Sequence, residues 1–317
     1  MPSRSRYRWG PLTLSAAIAL PELQTATRPA ADWTVRWAPR RPAPRHWYHH
    51  WRHPKNGEWL SFGRDGRRYV LRFERAATFR IDPVRRRIDI EKGSGLPFDG
   101  VTRLLLNQVL PLVAGLSQVV LHASAVRTPA GAIGFAGDSG AGKSTLAAAM
   151  CRRGAVLMSD DALILRPHRQ EWMVTPSYPG LRLWGAAARA VFGAHDATAA
   201  RANGSRKYRV DAHGIVPFSR SRVALTGICV LARRPGDAAV RLTRLAPREA
   251  LVTMVKLSYQ IDVADRGRLA PITEQIARLV ESVPVYRLQY ARGLDRLDRI
   301  ADQVLHEIGV RAQAGAA

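Results

Sequence analysis

At 317 residues with 46% hydrophobic side chains, the chain can bury one large core or two smaller ones, which excludes a fibrous or wholly disordered polypeptide. The formal net charge is +24, yet arginine supplies 44 of the 49 basic residues, and the excess is spread: 20 basic against 9 acidic side chains in residues 1–100, and 29 against 16 beyond. With no basic arm, a nucleic-acid partner is disfavoured against attraction of a nucleotide or an acidic peptide; two cysteines exclude a disulfide framework, no apolar run suits a membrane span, and a cytoplasmic location is expected.

Residues 1–97 read as a β-rich N-terminal domain. Arg4, Arg6 and Arg8 before Leu12–Leu20 faintly resemble a signal peptide, but Thr13 and Ser15 break a short apolar segment, and a strand is the better reading. Clusters of β-formers at 32–37, 69–73, 78–81 and 87–90, with an Asp82-Pro83 turn, predict an antiparallel meander. Between them, Arg41–His53 is rich in Pro, Arg, His and Trp. His46, His49, His50 and His53 lack a cysteine partner or a helical frame, so the segment reads as a solvated loop rather than a metal site.

Gly93–Gly100 reads as a linker into a second domain, residues 98–317. Leu104, Leu105, Gln108, Val109 and Leu112 predict a helix over 101–117 bent by Pro111, and Val119–Ala123 a strand that carries His122. Ala132–Ala136 is a short apolar strand, followed by Gly137-Asp138-Ser139-Gly140-Ala141-Gly142-Lys143-Ser144 and Thr145, then an Ala- and Leu-rich helix to Arg153. Strand, glycine loop and helix in that order make the Walker A, or P-loop, arrangement. Backbone N–H groups and the helix N-terminus face phosphate oxygens, Lys143 neutralises the outer phosphates, and Ser144 ligates Mg²⁺.

Ala155–Met158 is the next strand, and Asp160-Asp161 follow it seventeen residues after Lys143. So short a return can deliver both carboxylates to the phosphates, one as a Mg²⁺ ligand and the other as a proton acceptor. The residues do not say which is which. Further on, 162–165 and 171–174 read as strands, and Tyr178–Trp184 as either a recognition segment or a helix entry. Residues 203–210 form a basic cluster with Lys207 and Arg209. Strands at 222–232, 240–245 and 285–290 alternate with helices at 247–259 and 272–281, and a terminal helix is stopped by Gly309.

The runs LHASAV (121–126), GDSGAGKST (137–145) and RRGAVLMSDD (152–161) together resemble the HPr kinase/phosphorylase family, in particular its HPr-kinase-related serine kinases, among them those that modify lasso-peptide precursors. The resemblance covers roughly residues 100–310. It implies an α/β fold in which a P-loop kinase domain, like those of HPr kinase and phosphoenolpyruvate carboxykinase, follows a β-rich N-terminal region. It implies that residues 137–145 hold ATP, that His122 lies beside the acidic pair, that one of Asp160 and Asp161 is the base, and that Lys207 and Arg209 reach the transferred phosphoryl group. Two departures stand out. Thr145 occupies the place of the family's Glu, and the apolar stretch Tyr178–Trp184, with Arg182 inside it, replaces a Glu-Ile-Arg-Gly segment. The acceptor expected is therefore a serine of a flexible peptide or protein rather than HPr, with Arg182 drawing acidic groups. A nucleotide-dependent regulatory module and a small-metabolite kinase stand as alternatives, and a homo-oligomer is left open.

Overall fold

The computed structural model describes residues 5–27, 30–53, 57–196, 207–210, 216–234, 239–291 and 293–314, with the backbone alone at 207–210 and at a few element ends. The chain divides into two compact units, Met1–Ser117 with Gln260–Ala270, and Gln118–Tyr259 with Pro271–Ala317.

The first unit is built on a nine-stranded sheet. Its strands are β1 (Ser5–Trp9), β2 (Leu12–Ala16), β3 (Gln24–Thr25), β4 (Trp33–Trp37), β5 (His46–His53), β6 (Gly57–Asp65), β7 (Arg68–Phe73), β8 (Ala77–Asp82) and β9 (Arg87–Lys92), in the order β3-β1-β2-β4-β9-β8-β7-β6-β5. The predicted meander holds from β5 to β9, but the sheet is mixed, because β4 pairs in parallel with both β2 and β9. The expected loop at 41–53 is half wrong as well. Its second half is edge strand β5, which pairs antiparallel with β6 through two register shifts. Aromatic residues favour the pleated backbone, while His46, His49, His50 and Trp51 on it stay exposed. A ladder of edge-on rings, Trp51–Trp59, Trp59–Phe73 and Phe73–Phe79 at 5.2, 5.3 and 5.6 Å, runs from this edge into the core.

Helices α1 (Phe98–Leu104) and α2 (Leu110–Ala114) follow, joined by one wide turn, Leu105–Val109. Pro111 has no N–H to give, and the N–H of Leu110 reaches back five residues to the Leu105 carbonyl, so the helix widens there rather than breaking. The unit boundary falls at 117/118 instead of 97/98; Phe98 packs on Trp37 at 5.5 Å and holds the helices to the first unit. Residues 260–270 return to this unit through Arg64, which pairs with Asp262 at 2.6 Å and Asp265 at 3.0 Å, and through Tyr48 Oη, which donates to the Ile261 carbonyl at 2.6 Å.

The second unit is a mixed α/β fold. Its strands are β10 (Val119–Leu121), β11 (Ala123–Thr128), β12 (Gly131–Ala136), β13 (Val156–Ser159), β14 (Leu163–His168), β15 (Glu171–Thr175), β16 (Leu181–Trp184), β17 (Lys207–Val210), β18 (Val223–Arg234), β19 (Arg241–Arg244) and β20 (Val285–Ala291). Its helices are α3 (Lys143–Arg152), α4 (Gly185–Asp196), α5 (Pro247–Leu257), α6 (Arg266–Ser282, whose first turn counts with the first unit) and α7 (Leu297–Ala314). The central order is β13-β11-β12-β18-β20-β19, with β15, β14 and β10 continuing from the start of β18; β16 and β17 form a separate hairpin. Alternate side chains feed two cores. Ile133 and Phe135 face α3, α4 and α7, whereas Ala132 and Ala136 face α5 and α6. The terminal helix passes through Gly309, whose weak helix propensity is outweighed by the burial of Ile300, Val304 and Ile308 on one stripe.

Topology decides where chemistry can gather. Strands β12, β18 and β20 are mutually parallel, and β13 runs the same way because β11 is antiparallel to both β12 and β13. The carboxyl ends of four strands and the amino end of β11 therefore share one edge, the edge where open α/β sheets bind ligands. Among the described residues no helix is long and apolar enough to cross a membrane.

In the first unit the pair Arg80–Glu91, at 2.5 Å, has side chains only 2% and 5% exposed. Arg80 also donates to the Arg41 and Pro42 carbonyls. Removing one partner leaves the other charged and buried. Arg80→Ala is expected to destabilise the first unit by about 3–5 kcal/mol, whereas Arg80→Met with Glu91→Leu recovers most of that loss. Urea unfolding followed by tryptophan fluorescence measures both; equal losses in the two variants would refute the account.

Candidate functional site

The glycine loop joins the end of β12 to the start of α3. Gly140 and Gly142 have φ of 82° and 108°, a region closed to most side chains. At Gly142 space is a second constraint, since a Cβ there would stand 3.1 Å from Tyr290 Oη. Ala141 N–H donates to the Asp138 carbonyl at 3.0 Å and closes the loop on itself. Lys143 is buried, and its Nζ donates to the carbonyls of Gly137 at 2.8 Å and Asp138 at 3.0 Å. The lysine thus spans the loop it belongs to. Ser139 and Thr145 line the same small cleft, about 80 Å³, together with Ser144, His122, Asp161, Arg182, Trp184 and Arg233.

Asp160 leaves the end of β13 and is buried beside the cleft rather than lining it. Its Oδ1 accepts from Ser124 Oγ and Ser144 Oγ, each at 2.7 Å, and its Oδ2 accepts from the backbone N–H of Arg182 at 3.0 Å. Burial, and then the neighbouring Asp161 carboxylate, raise its pKa; the three donated hydrogen bonds oppose that shift. Asp161 is half-buried and has φ of 64°, which Asp tolerates better than most residues. Its carbonyl accepts from Tyr259 Oη at 3.1 Å, and His122 Nδ1 lies 3.3 Å from that carbonyl and 3.1 Å from the phenol oxygen. With the phenol hydrogen directed to Asp161, the imidazole Nδ1 is the donor to both oxygens. Tyr259 is held neutral, its pKa raised by burial and then by the two carboxylates.

The structure places loop residues 137–145, the acidic pair and His122 next to one another. Arg182 reaches the cleft with its side chain, but its closest tie is a backbone one, the N–H on Asp160. Lys207 and Arg209 lie in β17, opposite Trp184 and Arg182 of β16, and their side chains lie outside the described residues, as do Gly204, Ser205 and Arg206. The apolar recognition surface expected at 178–184 is not there. Leu181 and Leu183 are buried because they lie in β16 and pack into the core shared with α3, and Tyr178, ahead of that strand, is buried too; Trp184 alone among the segment's large apolar side chains is exposed. Among the described residues no group of three or more His, Cys, Asp or Glu side chains could hold a metal ion. Burial pushes the Cys151 and Cys229 thiols up to about 12, which makes both inert.

Four further residues belong to the site. Ser124, already within the quoted LHASAV run, points at Asp160. Tyr259 buttresses Asp161. Arg233, at the end of β18, hydrogen-bonds the Gly140 carbonyl, and Tyr290, at the end of β20, donates to the Ala141 carbonyl at 3.0 Å. The last two follow from the rule that carboxyl ends of parallel strands collect ligand-facing groups, once the strands are known to be parallel.

No protein-family model matches the chain, and no curated protein matches it. Among solved structures, the HPr(Ser) kinase/phosphatase from Coxiella burnetii is similar over 61% of this chain and 98% of that chain, with 10% identity and a TM-score of 0.37. A likeness so slight decides nothing about chemistry.

The raised pKa of Asp160 has a consequence for stability. Between its unfolded value, about 3.9, and its higher folded value, the folded protein binds more protons than the unfolded chain, so this group's contribution to stability falls as pH rises through that window. Asp160→Asn removes the titration. The difference in thermal midpoint between wild type and Asp160→Asn is expected to shift in favour of the variant as pH rises from about 4; a difference independent of pH would contradict the burial argument.

Proposed function

We propose that the second unit is an ATP-dependent phosphotransferase, moving the γ-phosphoryl group to a serine hydroxyl of a peptide or protein. The observation that carries this reading is the bridge from loop to acid: Ser144 Oγ, one residue past Lys143, hydrogen-bonds the buried carboxylate of Asp160 at 2.7 Å, while Asp161 stands half-exposed in the same cleft. Phosphoryl transfer asks the protein mainly for positioning and positive charge. Lys143, Arg233 and Arg182 bring the charge, and the loop and α3 N-terminus bring oriented N–H groups.

The two carboxylates divide the work by environment. Asp160, held by three donors with acceptor capacity left on Oδ2, suits a metal-side role. Its buried charge and the adjacent Ser144 hydroxyl fit Mg²⁺, which Ser144 and Asp160 would hold and which would neutralise charge on the phosphates. Asp161 suits the base. It takes the proton of the serine hydroxyl as the serine oxygen bonds to phosphorus and the bond to the bridging oxygen of ADP breaks. His122 and Tyr259 hold the Asp161 backbone carbonyl and so fix where its carboxylate can stand.

An 80 Å³ cleft accommodates phosphate groups and little else. A second cavity of about 260 Å³, lined by Val240, Tyr290, Arg299 and Ile300, lies beyond Tyr290, whose hydroxyl touches the loop. It offers a ribose and base the room that the cleft does not.

Asp161→Asn is expected to keep the fold, since Asn also tolerates the left-handed backbone, and to bind ATP nearly as wild type, while transfer falls by about 10²–10⁴. Lys143→Ala is expected to weaken ATP binding and also to loosen the loop, because its amine holds two loop carbonyls. Calorimetric ATP titration, with mass spectrometry of serine peptides and of HPr after incubation with MgATP, checks each step. ATP consumption that no acceptor stimulates would favour a regulatory module, and undiminished transfer by Asp161→Asn would remove the assigned base.

A further inference from the structure

A cavity several times the size of the glycine-loop cleft lies away from it. It measures about 410 Å³ and lies wholly in the first unit, between the strap of residues 40–44, the turn from β7 to β8, and the end of β9. That is within the range of about 300–1,000 Å³ in which ligand sites are found. Its lining is strongly basic. Arg80 and the buried Glu91 pair at 2.5 Å, and Arg40, Arg41, Arg75 and Lys92 line the cavity with the carboxylate of Glu74. Arg41 also approaches Asp89, at 3.8 Å, and Arg40 Nε donates to the Lys92 carbonyl at 3.4 Å.

The walls are fixed in place. Arg80 Nη2 donates to the Pro42 carbonyl at 2.6 Å and to the Arg41 carbonyl at 3.3 Å, which tacks the strap to the sheet. Gly93 N–H donates to the Ala76 carbonyl and Gly95 N–H to the Arg75 carbonyl, at 2.8 and 2.6 Å, so the turn that bears Arg75 is locked against the end of β9. A Cβ on Gly93 would stand 2.5 Å from the Arg75 carbonyl oxygen, so this approach requires glycine. On the opposite side, the Arg72 guanidinium lies 4.4 Å from the centre of the Trp47 ring, with Ala43 and Pro44 beside it.

We propose that this groove docks an acidic, extended segment of a peptide or protein. Arginine forks pair with carboxylates in two-pronged fashion, and the Trp47, Pro44 and Ala43 wall suits apolar side chains between acidic ones. A nucleic-acid duplex displays its phosphates on a convex surface that cannot enter a concavity of this volume. The proposal stands on the first unit alone and is independent of phosphoryl transfer.

The test is fluorescence anisotropy of a labelled peptide alternating Glu and Leu, with the full-length protein in about 0.15 M salt. Arg75→Glu with Lys92→Glu, both exposed, should weaken binding at least about tenfold. Arg166→Glu with Arg169→Glu, an equal charge change on exposed positions of the second unit, should change it less than about twofold. Ala43→Trp fills the groove without changing charge, and should also weaken binding about tenfold. The proposal is overturned if wild type does not bind the peptide, if the two charge-reversed pairs weaken it alike, if Ala43→Trp binds as wild type, or if an oligothymidylate of equal charge binds the groove as tightly.

Discussion

The arrangement of the second unit hangs on one buried carboxylate. Asp160 accepts hydrogen bonds from Ser124 on β11, from Ser144 on α3 and from the Arg182 N–H on β16, while belonging to the turn after β13. Desolvating such a group is penalised by several kcal/mol, and the three donors offset that penalty only if all three elements stand where they do. The loop is thereby fixed to the strand that carries the acidic pair, and the hairpin that bears Arg182 is fixed to both. The parallel course of β12, β13, β18 and β20 makes this meeting possible, because it leaves their carboxyl ends on one edge.

What the sequence made legible is the local part of the site. The glycine loop, Lys143, Ser144 and the acidic pair lie within 25 consecutive residues, and each is a type that the proposed phosphoryl transfer calls for. The residues that escaped notice act across long separations. Arg233 meets Gly140 over 93 residues, Tyr290 meets Ala141 over 149, and Tyr259 meets Asp161 over 98. Nothing in their own neighbourhoods marks them; strand order marks Arg233 and Tyr290. The tie between Arg182 and Asp160 could not have been read at all, since any residue except proline brings the same N–H.

In the first unit the strands were legible and their arrangement was not. Alternating β-formers show where β4, β7, β8 and β9 lie, but nothing in that alternation says that β4 pairs in parallel with its two neighbours. The strap and β5 show a different failure. Three prolines in residues 39–44 signal irregular chain correctly, and His46, His49 and His50 after them are exposed as their composition suggests, yet the segment pairs with β6 as an edge strand. At 178–184 the error ran the other way. An apolar, aromatic stretch after a catalytic-looking motif resembles a recognition surface, but a strand whose alternate side chains reach the core has the same composition.

The 49 basic side chains likewise mean different things at different places. Some are met locally. Asp89 draws Arg36 and Arg87, Asp262 draws Arg64, and Glu91 draws Arg80, with each carboxylate nearly buried. Such pairs hold strands and segments together. A composition count cannot separate them from arginines clustered around a concavity, because both kinds contribute one unit to the same sum. Burial and pairing separate them: where a carboxylate stands opposite, the charge is structural, and where several cations converge on a preformed cavity with one carboxylate between them, their field is directed at a ligand.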